Sequence, residues 1–175
     1  MVSPVKPRAG STKKKGKRSA KARPQLRLER FLPHRLSVLS NTVSRAIAGV
    51  YAQRYGLSVH EWRVIAVLEY FPSASSSDLS EKTGMDSVAV SRAVSQLVRA
   101  GLITRRASGA DRRRTILDLS ERGQQVYDEI TPVALRYEEM LLQGLDPDER
   151  ERFNELITKL QRQAAMLGSA AELLE

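Results

Sequence analysis

The segment from Ser75 to Gly123 constrains the fold more than any other part of the chain. Two short helical patterns come first, separated by Thr83-Gly84-Met85, and the apolar pair Leu102-Ile103 follows them. After an arginine-rich stretch the chain returns as an alternating strand at residues 115–119. Helix, turn, helix and basic hairpin, in this order, make a winged helix-turn-helix, which places a helix in the DNA major groove. The pattern predicts a DNA-binding protein.

Capping signals set the bounds of three helices in this region. Ser58, with Glu61 three residues later, predicts the start of a helix that ends at Phe71-Pro72. A short helix from about Ser76 to Thr83 and a longer one from Asp86 to Gly101 then form the helix-turn-helix.

Apolar stripes predict long helices at both ends of the chain. Apolar residues spaced three and four positions apart predict a first helix from about Leu26 to Tyr55. Ser120 caps a later helix that should bend at Pro132, and Asp146-Pro147 starts the last one. A monomer has too little neighbouring sequence to cover these stripes, which predicts a homodimer.

The predicted fold class is mainly α. It comprises a winged helix-turn-helix with a small β-hairpin wing, and a helical dimerisation region formed by the N- and C-terminal helices. The predicted domains are a disordered basic tail at residues 1–25, a DNA-binding domain at 58–120, and a dimerisation region at 26–57 and 121–175.

The excess positive charge lies in the tail. The chain has 29 Lys and Arg against 20 Asp and Glu. Residues 1–24 hold nine of these basic residues and no acid, so the 20 that remain equal the number of acids. A segment this polar does not bury enough surface to fold, and we expect it to be disordered. It is either a solubilising extension or an arm that raises nonspecific affinity for DNA.

The composition also excludes several functional classes. The chain has no cysteine, no secretory signal and no apolar run of the roughly 18 residues that a membrane span needs. We therefore expect a cytoplasmic protein without a membrane partner. Two histidines do not make a metal site, no G-x-S-x-G motif occurs, and the glycines of residues 10–17 are wrongly spaced for a phosphate-binding loop. We expect no catalytic activity, metal or cofactor.

One face of the helix from Asp86 to Gly101 has the composition of a DNA-reading surface. Its apolar residues cluster on the opposite face, toward the core. The polar face has hydroxyls, Arg, Gln and one Val, which suit phosphates and base edges, although an ordinary surface helix is also amphipathic. The residues expected in the major groove are Ser87, Val88, Ser91, Arg92, Ser95 and Gln96.

The hairpin tip is short and mostly cationic. Arginine inserts well into a narrow minor groove, where the negative potential is strongest. Asp111 is the one acid of the tip, and it either aims an arginine through an ion pair or forms an ordinary surface salt bridge. The residues expected at the wing are Arg105, Arg106, Asp111, Arg112, Arg113 and Arg114.

Two groups of residues resemble motifs of the MarR family (multiple antibiotic resistance regulators). The wing signature is similar to Asp111-Arg112-Arg113, Leu117, Leu119, Ser120 and Gly123. The exit of the recognition helix is similar to Leu97, Gly101-Leu102-Ile103 and Arg105. The resemblance runs from about Phe31 to Leu167 and leaves only the tail outside.

This resemblance implies an obligate dimer held by the first and last helices. It implies that Arg113 enters the minor groove, that Asp111 orients it, and that Ser91 and Arg92 lie in the major groove. The family usually represses nearby genes until a small, often aromatic, carboxylate or an oxidant relieves repression. The oxidation mechanism depends on cysteine, which this chain lacks.

A ligand of that family lies where the dimer helices meet the DNA-binding lobe. Trp62 also fits an apolar stripe as a plain core residue, and His60 fits a solvated first helical turn. The candidate pocket residues are Arg35, Tyr51, His60, Trp62 and Arg63.

The predicted function is a sequence-specific regulator that binds a palindromic operator in double-stranded DNA, with repression of nearby genes and release by a small molecule as the expected mode. The alternative is an architectural or nucleoid-type protein in which the basic tail dominates and sequence is hardly read. A third possibility is a winged helix used only for protein contacts, which tight DNA binding would exclude.

Overall fold

A computed structural model of the chain describes residues 25–107 and 115–171. The described part is mainly helical with one antiparallel two-stranded hairpin, which confirms the predicted fold class. Of the described residues, 25–37 and those from Val38 onward belong to two separate units. In chain order the elements are α1 (Leu32–Tyr55), α2 (Val59–Tyr70), α3 (Ser76–Thr83), α4 (Ser87–Arg99), β1 (Ile103–Ala107), β2 (Thr115–Leu119), α5 (Glu121–Leu142) and α6 (Pro147–Ala171).

The first helix begins later than its apolar pattern predicts. Residues 28–30 form a turn and α1 starts at Leu32, so the predicted start near Leu26 is wrong. Pro33 explains the difference. A helix running through it would lack the hydrogen bond to the carbonyl of Glu29, and the proline ring would clash with that carbonyl.

The helices after α1 begin at polar caps, and the caps of α2, α4, α5 and α6 are the predicted ones. At α2 the amide of Ser58 donates to Glu61 Oε2 at 2.6 Å, and the amide of Glu61 donates to Ser58 Oγ at 3.3 Å. Such caps satisfy backbone groups that the first helical turn leaves without partners. The capping side chains belong to Ser58, Ser75, Asp86, Ser120 and Asp146.

The core lies where α2, α3, α4, the hairpin and the first half of α5 meet. Its largest fully buried side chains come from all of these elements and from the C-terminal part of α1. They are Tyr51, Val64, Ile65, Leu68, Leu79, Val90, Val94, Leu97, Leu117 and Ile130. None of the helices in the described residues has the length and apolar character that a membrane crossing requires.

The start of α5 packs directly on the end of the helix-turn-helix. The Ser120 hydroxyl donates to the carbonyl of Gly101 at 2.7 Å, and the Ser120 amide donates to the carbonyl of Leu102 at 3.0 Å. A Cβ atom on Gly123 would lie 2.0 Å from the same Leu102 oxygen. Only glycine permits this approach, so the junction of α4 and β1 is fixed against α5.

Candidate nucleic-acid interface

Helix α4 presents one apolar face to the core. Val90 and Leu97 have no exposed surface, and Ala93 and Val94 are nearly as buried. The helix begins at Asp86, whose side chain accepts the amide of Ala89 at 2.7 Å. Because the buried residues follow the helical repeat, the opposite face of α4 is held toward solvent.

The six residues predicted for the major groove lie on this outward face. Ser95 is half-buried and the other five are exposed, and Val88 keeps 58% of its surface accessible. An exposed valine on a polar face is available for the methyl group of a thymine. Contact of these six residues with DNA stays a prediction.

A groove of about 550 Å³ runs beside this face, between the first turn of α2 and the first three turns of α4. Arg92 and Gln96 line it from α4, and His60 and Glu61 line it from α2. The sequence pattern did not predict that the start of α2 belongs to this surface. The polar cap of α2 indicated that this end of the helix is exposed. That it lies beside α4, however, depends on tertiary packing.

The wing strands pair in register from Ile103 with Leu119 to Ala107 with Thr115. Arg105 and Arg106 lie on β1 and are exposed. The predicted tip residues Asp111, Arg112, Arg113 and Arg114 lie outside the described residues.

Arg106 takes part in a network at the base of the wing. Its Nε donates to Asp118 Oδ2 at 2.9 Å, and its Nη2 donates to Ser73 Oγ at 2.7 Å. Asp118 Oδ1 accepts the amide of Ser73 at 2.6 Å and its hydroxyl at 3.0 Å. Partial burial raises the pKa of Asp118, but the hydrogen bonds from Ser73 and Arg106 outweigh this effect and lower the pKa overall.

The five candidate pocket residues lie in three different environments. His60 and Arg63 line a groove of about 390 Å³ between α1 and α2. The Arg63 guanidinium donates to Ser44 Oγ there at 3.3 Å. The groove also has residues that the sequence pattern did not predict, which are Val38, Asn41, Ser44, Arg45 and Val59.

Tyr51 and Trp62 belong to the core side of the same helices. The Trp62 ring lies 5.8 Å from the ring of Tyr51 and 5.8 Å from that of Tyr127, measured between ring centres. Burial raises the pKa of Tyr51 to about 12, and Arg63 opposes this shift. Arg35 is exposed on the N-terminal part of α1, and its role stays a prediction.

Comparisons with known proteins agree with this geometry. A model of the MarR family matches residues 55–114. The HTH-type transcriptional regulator YdgJ of Bacillus subtilis is 25% identical over 118 residues, 67% of this chain and 72% of YdgJ. A MarR/EmrR family regulator from Acinetobacter sp. ADP1 has a similar crystal structure, with a TM-score of 0.74 and 27% identity, over 81% of this chain and 99% of that one.

A further similar structure is that of BpsR from Bordetella bronchiseptica, whose DNA binding is regulated by 6-hydroxynicotinic acid. The TM-score is 0.60 and the identity 22%, over 73% of this chain and 98% of BpsR. This likeness concerns the fold.

The outward face of α4 gives a direct prediction. Arg92→Ala should weaken binding to a duplex selected from a random-sequence library by about 1–3 kcal/mol, and random duplex much less. Fluorescence anisotropy titrations of both duplexes measure the two effects. Arg136→Ala removes the same charge from α5 and should leave the preference unchanged. Equal weakening on both duplexes would show that Arg92 contacts only phosphates.

Proposed function

Since the chain belongs to the MarR family of winged helix-turn-helix transcriptional regulators, we propose that it represses nearby genes from a palindromic operator and leaves it when a small ligand binds. The observation that carries this proposal is the outward face of α4, which combines hydroxyls, Arg92, Gln96 and the exposed Val88. Side chains of these types bind base edges as well as phosphates in protein–DNA complexes. The proposed role is one of binding rather than catalysis.

The wing extends the proposed contact beyond the major groove. Its two strands are paired, and the sequence between them includes three consecutive arginines, Arg112, Arg113 and Arg114. We expect Arg113 to enter the minor groove with Asp111 orienting it. A guanidinium there gains from the strong negative potential of narrow A·T-rich DNA.

The proposed protein acts as a homodimer, and α6 supplies the main argument. No described side chain of α6 is buried, although its apolar stripe includes Phe153, Leu156 and Leu160, each at least 40% exposed. A stripe of this length is stabilised when a second helix covers it. We assign residues 26–57 and 121–175 to the dimer and residues 58–120 to DNA binding.

Leu156→Asp should convert the dimer to a monomer, because a carboxylate in an apolar interface loses its hydration. The mass measured by light scattering should then fall from twice the chain mass toward 19.6 kDa. The control is Thr158→Asp, which adds the same charge on the opposite side of α6 and should leave the dimer intact. A wild-type protein that is already monomeric at micromolar concentration would contradict the dimer.

The groove between α1 and α2 is the proposed ligand site. Arg45 and Arg63 supply positive charge, Asn41 supplies an amide, and Val38 and Val59 supply apolar walls. Paired cations beside apolar surface suit a small aromatic carboxylate. BpsR, whose DNA binding is regulated by 6-hydroxynicotinic acid, supports this class of ligand, and the choice of the groove rests on its side chains.

Binding at this groove should change the fluorescence of Trp62, the single tryptophan, whose ring lies between the rings of two tyrosines on neighbouring helices. The titrants are benzoate and 6-hydroxynicotinic acid. Arg63→Met should weaken the binding of a responding compound by about tenfold or more, because it removes a charged hydrogen bond. Arg136→Met is the charge-matched control. If the Arg63→Met variant bound the compound as tightly as wild type, the ligand site would not be this groove.

The basic tail is proposed to be an arm on a sequence-reading dimer. Deleting residues 1–24 should weaken binding to selected and random duplex by similar factors, since phosphate contacts have no sequence information. The slope of log affinity against log salt should become shallower by about 0.9 for each phosphate that the arm had neutralised. Titrations of both proteins at several salt concentrations measure this.

The same titrations decide between the regulator and the architectural protein. A regulator should prefer its selected duplex by roughly 10³-fold or more over random duplex, with or without the tail. Loss of all binding on deletion would favour the architectural protein. An unchanged salt slope would show that the tail does not touch DNA.

A further inference from the structure

Three residues from separate segments close a ring at the base of the wing. We name Ser73, Arg106 and Asp118 the wing clip. Ser73 lies in the turn between α2 and α3, Arg106 on β1 and Asp118 on β2. Each residue of the clip contacts the other two, at distances of 2.6 to 3.0 Å.

The backbone near the clip is arranged to complete this ring. Ser73 has a φ of 61°, a left-handed conformation that is unfavourable for a residue with a Cβ atom. In that conformation both its amide and its hydroxyl reach one oxygen of Asp118. The carbonyl of the next residue, Ala74, accepts a hydrogen bond from the amide of Leu117 at 2.9 Å. Ala74 and Leu117 thereby form an isolated antiparallel bridge between the turn and β2. The turn is therefore joined to β2 by backbone and side chains together.

We propose that Arg106 is a positioning residue, which holds the wing strands against the turn between α2 and α3 through Asp118 and Ser73. It contributes to DNA affinity by placing the wing tip, and not by its own contact with DNA. This inference rests on the proposed function, in which the wing touches DNA.

The geometry favours this role over a phosphate contact. Two donors of Arg106 are already used on Asp118 and Ser73. A phosphate that took Arg106 away would leave the Asp118 carboxylate, whose side chain is only 23% exposed, without its cation. Arg105, one residue earlier on β1, forms no ion pair with another residue in the described part of the chain and provides a comparison.

The two roles predict opposite effects of Asp118→Asn. If Arg106 contacts phosphate, removing the nearby acid should strengthen DNA binding. If the clip positions the wing, the same substitution should weaken binding, by about threefold or more, as expected when a partly exposed ion pair is broken. Arg106→Gln should weaken it similarly, and the double variant should be no weaker than either single one.

The experiment uses the full-length chain and a duplex that wild-type protein selects from a random-sequence library. Affinity is measured for wild type, both single variants, the double variant and Arg105→Gln. Hydrogen exchange of the Leu117 amide is measured without DNA. Exchange should accelerate in the Arg106 and Asp118 variants and stay at the wild-type rate in Arg105→Gln, because Arg105 takes no part in the clip that supports the bridge to Ala74.

Tighter binding by Asp118→Asn, additive weakening in the double variant, or unchanged exchange at Leu117 would overturn the inference. Failure of the proposed function gives a different result. In that case selection yields no duplex that wild-type protein binds more tightly than random DNA. The exchange of the Leu117 amide still shows whether the clip holds the wing strands.

Discussion

The close approach of Gly123 to the carbonyl of Leu102 is the contact on which the arrangement of the DNA-binding elements depends. At this point α4 has ended, β1 begins and α5 starts, so one junction sets the direction of all three. The Ser120 side chain caps α5 and also binds the carbonyl of Gly101, which has left the helix in a left-handed conformation. The outward face of α4 and the base of the wing therefore have a fixed relation to each other.

A second constraint links the groove between α1 and α2 to the rest of the core. The rings of Tyr51, Trp62 and Tyr127 contact one another in sequence and join α1, α2 and α5, with Trp62 tilted against Tyr51 and stacked on Tyr127. A ligand that separates α1 from α2 must also displace these rings, because packed interiors leave little room for independent motion. In the proposed ligand response, these three rings would connect the groove to α5, and the start of α5 would connect it to α4.

Much of the fold follows from local sequence rules. Caps such as Ser58 and Asp146 predicted helix starts because a side-chain oxygen close in sequence satisfies the first backbone amides. The outward face of α4 was predictable for a similar reason, because the helical repeat of apolar residues is a pattern within one short segment. The predicted start of α1 is wrong because the apolar stripe continues upstream of Pro33, whereas a helix tolerates proline only in its first turn.

The parts of the site that the sequence did not predict depend on contacts between distant residues. Charge alone predicted a DNA contact for Arg106, and its partner Ser73 lies 33 positions earlier, on a turn with no matching pattern. In the groove, Asn41, Ser44 and Arg45 have helical spacing on α1, which was a usable signal. Which helix they face, however, is set by tertiary packing.

The exposed apolar stripe of α6 has a consequence for how the occupancy of a DNA site depends on the concentration of the protein. A chain that binds DNA only in pairs, and is mostly unpaired when scarce, fills its site in proportion to the square of its concentration. Occupancy then rises over a narrower range of expression than a monomer would allow. A modest change in synthesis or dilution would move such a regulator between an unbound and a bound state. In the proposed dimer, the apolar side chains of one helix would therefore determine how steeply operator occupancy depends on protein concentration.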